Sequence, residues 1–321
     1  MTRGHWPNPP VTTDGPRESL GVVPLIPNSD ARSYREGLLL LAITSVGWGI
    51  NWPAMKVLVG ELPPLIARGS SGLVSALLVG ALAMWQGQRI TLRRHSVVRL
   101  CAAAFFNVFA WIGFTTLSMK WLSVGQAALL VYTMPLWATL LAWPILGQRP
   151  SLWASAALIL CGGGLWLLLG QGTVQFSPGQ AAGIGFALAA AILFALGAVT
   201  LRPIAEMGPL SIVAWQLALG SLAMVVMGFA FETWITKTLS TKGCLLWVYM
   251  TAVPMGLCYL TWFSALRRLP PATASMATLL TPVIGVLSAS LLLSEPISGR
   301  EAIALLLTMG GVGLALFKKS T

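Results

Sequence analysis

After residue 36 the chain never leaves apolar sequence for long enough to build a unit that water could surround. Apolar stretches of about 20 residues are the length a helix needs to cross a bilayer. Ten of them follow one another here, at residues 37–58, 66–85, 100–119, 123–147, 150–170, 179–201, 209–231, 244–266, 271–294 and 299–317. The connections between them run to about a dozen residues, too short for a water-facing domain. With 56% hydrophobic and 9% charged residues and a mean hydropathy of +0.79, the chain carries more apolar surface than a soluble core of this size can hide. Lipid is its expected solvent. Only helices or closed barrels satisfy their own backbone there, and the run lengths select helices. The expected fold class is an all-α membrane protein.

The chain also repeats itself. Residues 122–151, LSVGQAALLVYTMPLWATLLAWPILGQRPS, are followed 147 positions later by 269–298, LPPATASMATLLTPVIGVLSASLLLSEPIS. Ungapped extension to 169 and 316 aligns Pro135 with Pro282, Ser151 with Ser298, and Gly163-Gly164 with Gly310-Gly311. Prolines and glycine pairs fall where an apolar helix bends or lets a neighbour approach. Ten spans divided by this repeat leave five in each half, and an odd number makes the second half enter the bilayer from the opposite side. The expectation is ten transmembrane helices as two inverted five-helix repeats, 37–170 and 179–317. A proline-rich tail of mixed charge, 1–36, precedes them and is expected to be disordered and cytoplasmic. Inverted repeats recur in secondary transporters, because equivalent halves can exchange shapes and open a midplane site to either side in turn.

A net charge of +11 invites a nucleic-acid reading, and the placement of the charges argues against it. With the N-terminus inside, cytoplasmic segments hold 14 of the 20 Lys and Arg residues. The outer ends and loops hold Lys56, Arg68, Lys120, Lys237, Lys242 and Arg300. That asymmetry follows the positive-inside rule and places both termini in the cytoplasm of a multi-pass inner (plasma) membrane protein. The basic charge then meets anionic lipid of the bilayer, not nucleic acid. The first long apolar run begins at Gly37 and is too long for a cleaved secretory signal. Cys101, Cys161, Cys244 and Cys258 have no CxxC spacing and read as packing residues, while His5 and His95 stand outside the spans. No cofactor and no metal or haem site in the membrane is expected.

Polar and aromatic residues inside the runs mark the candidate pathway for a small-molecule substrate. Pro135 and Pro282 fall at the centres of the spans 123–147 and 271–294, where each removes an intrahelical hydrogen bond at midplane depth. A carbonyl freed there must face protein or a wet cavity. A static kink and a hinge both fit one such proline; the matched pair favours the hinge. Tyr132 and Thr133 lie beside the first, Ser275, Thr278 and Thr281 beside the second. Ser275, Thr278 and Pro282 share one helical face, which fits either a pathway lining or hydrogen bonding between helices.

Trp48, Asn51, Trp52 and Met55 form another face, Asn107 and Trp111 repeat the amide-indole pairing, and Tyr259 with Trp262 supply the corresponding surface of the second half. Amide plus indole suits a neutral or zwitterionic ligand. Trp85 and Trp121 sit near span ends, as interfacial anchors do. No charged residue or histidine falls near the centre of any span, which disfavours cation antiport through an embedded carboxylate. An amino acid's carboxylate would be met by amides, hydroxyls and helix N-termini. The glycines at 162–164, 310, 311 and 313 favour close helix contact, within a monomer or across a homodimer. Gly69-Ser70-Ser71-Gly72 is reminiscent of intramembrane serine proteases, but no histidine at membrane depth could activate the serine, and no enzyme is expected.

The ten-helix layout, the run WGINWPAMK at 48–56 preceded by Gly47, the mid-helix segments VYTMP and LLTPV, and the exits GQRPS and SEPIS resemble the EamA-type branch of the drug/metabolite transporter superfamily across about residues 37–318. That family often shows Gly-Glu at the helix exits. Ser294-Glu295 approaches this, and Gly147-Gln148 carries an amide instead. The resemblance implies a secondary transporter that exports amino acids or related small metabolites by alternating access. Export of hydrophobic drugs or dyes, and a channel-like facilitator, are the alternatives.

Overall fold

The computed structural model describes residues 31–317 apart from 93, 170–176, 203, 205, 234–238, 271, 272 and 274–278. Ten helical segments follow one another among the described residues: α1 Ala31–Val59, α2 Pro64–Trp85, α3 Val97–Ser118, α4 Val124–Leu146, α5 Leu152–Leu169, α6 Pro178–Thr200, α7 Pro209–Phe231, α8 Thr241–Leu266, α9 Leu280–Leu293 and α10 Gly299–Phe317. Seven are long and apolar enough to cross a membrane, while α5 and α9 are shorter. Proline opens α2, α6 and α7, where its missing N–H has no helical partner to lose. Outward-facing residues such as Leu77 (74% exposed) and Leu291 (83%) are apolar, as lipid contact requires.

The helices alternate in direction. At the near end, where α1 begins, Gly37 meets Leu269 after α8, and Gln88 after α2 reaches the start of α7. At the far end, Gly179 and Gly183 at the start of α6 pack on Trp121 and Leu122 after α3. The counterpart of α1 therefore starts at the opposite end, and the second half is inverted. Packing obeys the same symmetry: α1 lies against α8 and α9, α6 against α3 and α4, α2 along α7, and α5 along α10.

The α5–α10 crossing shows the relation residue by residue. A Cβ on Gly164 would lie 2.6 Å from Thr308 Oγ1 and 2.9 Å from the carbonyl of Ala304; one on Gly311 would lie 2.6 Å from Cys161 Sγ and 2.8 Å from the carbonyl of Ala157. These two sets are equivalent under the 147-residue offset. Ser151 and Ser298, aligned in the sequence, each accept a backbone N–H in the first turn of α5 and of α10. Gly147 and Ser294, also aligned, both end their helices in the left-handed conformation, at φ 69° and 55°. A π-helical segment occupies Phe105–Phe114 in α3 and another Val253–Leu257 in α8, and the offset carries the first onto a stretch that encloses the second. The Gly69-Ser70-Ser71-Gly72 run is a packing seam: a Cβ on Gly69 would sit 2.8 Å from the carbonyl of Ser221 in α7, and Ser70 accepts the Trp247 indole N–H at 2.9 Å.

Three expectations need correction. α1 begins at Ala31, so residues 31–36 are helical and not part of a disordered tail; residues 1–30 lie outside the described residues. In α4 the helix stops at Val131 and restarts at Met134, which makes Pro135 a residue of the restarting helix's first turn. Pro282 likewise stands in the first turn of α9, where it costs no hydrogen bond of that segment. Pro135 thus starts a half-helix and does not kink a continuous one, while the segment 274–278 ahead of Pro282 lies outside the described residues.

Candidate functional site

A cavity of about 530 Å³ opens between the halves, within the range of small-ligand sites. It is lined from α1, α2, α3, α4, α6, α7, α8, α9 and α10. Seven of the expected pathway residues meet on it: Trp48, Asn51, Trp52, Asn107, Trp111, Tyr132 and Tyr259, with Pro135 beside them. Trp48 donates its indole N–H to the carbonyl of Pro254, in the π segment of α8, at 2.9 Å, and meets Tyr259 edge-on at 5.9 Å. Trp52 and Tyr132 approach to 6.0 Å, and Trp111 lies 4.5 Å from Phe194. Asn107 Nδ2 donates to Gln216 Oε1 at 3.0 Å across to α7. Thr281 adds a buried hydroxyl beside the Tyr132 phenol.

The remaining expected residues are elsewhere. Thr133 is buried in the wall of α4, where its hydroxyl donates to Leu130 O at 2.6 Å and accepts from Trp137 Nε1 at 3.1 Å. Trp262 stands behind Trp48, packed with Leu41 and Leu269. Pro282 is buried without lining the cavity. Ser275 and Thr278 lie outside the described residues.

The sequence misses the residue that changes the site's character. Arg68, expected at the outer end of its span, is 5% exposed and lines the cavity. It donates to Asn51 Oδ1 at 3.3 Å, its Nε has no partner, and it forms no ion pair among the described residues. Four other charges of the far end meet backbone groups. Lys56 Nζ donates to the carbonyls of Met119 and Leu122 at 2.7 Å each and so caps α3. Glu232 accepts from Leu65 and Ile66 N–H at the start of α2, Glu295 from Val124 at the start of α4, and Glu61 from Ser240 before α8. The available signal was an arginine set between Leu65-Ile66-Ala67 and Gly69, one turn inside a proline-opened helix, long enough to reach inward. Gln216, also unforeseen, is the one amide of its apolar run.

Two inverted bundles of lipid-facing helices around a central aromatic cavity, with amides and a guanidinium on its wall, make this a multi-pass membrane transport protein. The EamA-like transporter family matches residues 35–170 and again 181–317, and the chain belongs to that family. It is 23% identical over 282 residues to an uncharacterized transporter, YoaV, of Bacillus subtilis, which covers 87% of this chain and 97% of the relative. It is 26% identical over 301 residues to a probable amino-acid metabolite efflux pump of Salmonella typhimurium, covering 89% and 96%. The corresponding figures for a probable amino-acid metabolite efflux pump of Escherichia coli are 24% over 298 residues, 89% and 96%. A solved crystal structure superposes with a TM-score of 0.61 at 19% identity, over 88% of this chain and 97% of the other.

Proposed function

We propose that the protein exports amino acids or related small metabolites across the inner membrane by alternating access, with both termini in the cytoplasm. The observation that carries this reading is reciprocity of the closing contacts. After α7, Glu232 binds the N-terminal amides of α2 at the far end; after α2, Gln88 binds those of α7, Leu210 and Ser211, at 3.1 and 3.2 Å at the near end. Two equivalent latches on opposite faces are what a rocking pair of halves needs. In this conformation the far end is sealed by Leu58, Met119, Leu122, Val124 and Met250, each at most 2% exposed. Release of one latch while the other holds would open the cavity to one side at a time. The broken backbone at Tyr132–Thr133 gives α4 a place to bend.

The aromatic walls favour a second reading, export of hydrophobic drugs or dyes. Purified protein in liposomes loaded with labelled amino acids decides between them. Efflux that saturates and is stimulated by external counter-substrate supports the first reading. Dye efflux with no amino-acid flux above empty vesicles favours the second, and flux without counter-stimulation favours a channel-like facilitator. Protease accessibility of tags at each terminus in sealed inverted vesicles tests the orientation.

A further inference from the structure

We propose that Arg68 makes the cavity a carboxylate site: compounds that pass carry a carboxylate, as anions or zwitterions, and net cations are refused. This rests on the transport reading and names the substrate class for it. A buried guanidinium is retained in a membrane protein only where something meets its charge. Here the carboxylates of the far end, Glu61, Glu232, Glu295 and Glu301, are engaged at helix N-termini, and Arg68, with the Tyr259 phenol in its neighbourhood, makes one hydrogen bond among the described residues, to the neutral Asn51 Oδ1 at 3.3 Å. Of its five N–H donors four remain, in the planar fork that fits a carboxylate through two parallel bonds. The Thr281 hydroxyl, buried on the same cavity beside the Tyr132 phenol, supplies a further polar contact.

No described residue lining the cavity is acidic, so an ammonium finds only neutral acceptors there. Aromatic faces by themselves attract cations. A full fixed charge outweighs a ring quadrupole, so Arg68 reverses the selection that the walls alone would make. The ligand body is a flat apolar group placed against Trp48, Trp111 and Tyr259.

In buffer at about pH 5.5, below the α-amine pKa, three probes with the same benzyl group separate the charges: phenylpyruvate is an anion, phenylalanine a zwitterion and phenylalaninamide a cation. Binding to the purified wild-type protein is followed by tryptophan fluorescence, and flux is measured in proteoliposomes against empty vesicles. Both acids are expected to bind and move, and the amide to do neither. Arg68→Gln should weaken binding of both acids by roughly 10- to 100-fold, with Arg68→Lys in between. Phenylalaninamide bound as tightly as phenylalanine overturns the proposal, as does an Arg68→Gln protein that melts like wild type and binds the acids equally well. If Arg68→Gln does not fold, the three-probe comparison on wild type decides alone. Amide flux equal to acid flux removes the carboxylate site and leaves the transporter reading standing; flux of none of the three removes the amino-acid reading, and the carboxylate site with it.

Discussion

At the residue scale, the cavity is made of side chains whose chemistry is conspicuous in apolar sequence. Trp48, Asn51, Trp52, Asn107, Trp111, Tyr132 and Tyr259 were legible because an amide or a phenol inside a spanning helix must turn from lipid, and an indole beside one marks the same face. Arg68 was not, because its Cα lies near a helix end and only the direction of its long side chain carries the charge into the cavity. The Asn107–Gln216 pair has its own consequence. Gln216→Leu leaves the Asn107 amide short of a partner and should lower unfolding stability in detergent by about 1 kcal/mol, with slower flux. Replacing both by Leu should recover part of the stability and none of the flux, measured by thermal unfolding and vesicle efflux together.

At the scale of the element, the repeat makes one half a control for the other. Ser294 is the single described non-glycine residue with positive φ, at 55°, where the first half has Gly147 at 69°. Ser294→Gly should stabilise the protein by about 0.5–1 kcal/mol, the relieved strain of a left-handed L-residue less the added freedom of the unfolded chain. A raised melting temperature at unchanged flux is the expected result. Pro135 keeps α4 in two pieces, Val124–Val131 and Met134–Leu146. Pro135→Ala allows the helix to continue through Tyr132 and Thr133, so efflux should fall several-fold while the protein still inserts into the membrane; unchanged efflux would remove the bending role. The sequence located both prolines and their equivalence. It could not tell a kinked helix from two helices, because that depends on whether neighbours accept the unpaired backbone groups.

At the scale of the whole molecule, the two halves meet along several helix pairs, and at one of them, α5 against α10, glycine sets the distance. Gly311→Ala places a methyl 2.8 Å from the carbonyl of Ala157, so the helices must part, and a loss of about 1–3 kcal/mol is expected from overpacking. Urea or thermal unfolding in detergent checks it; Gly310→Ala, where nothing lies within 4 Å, is the matched control and should change little.

By itself the sequence determined the solvent, the helices, the duplication and its inversion, since run length, charge and an odd count of spans are local properties that the bilayer converts directly into architecture. The tertiary structure decided what those properties leave free. It brought Arg68, Asn107 and Gln216 from three helices onto one cavity, turned Thr133 and Trp262 away from it, and matched Gln88 with Glu232 across opposite faces. The physical reason is that spacing fixes which residues share a helical face, whereas the rotation of that face toward its neighbours is set by packing between helices distant in the chain.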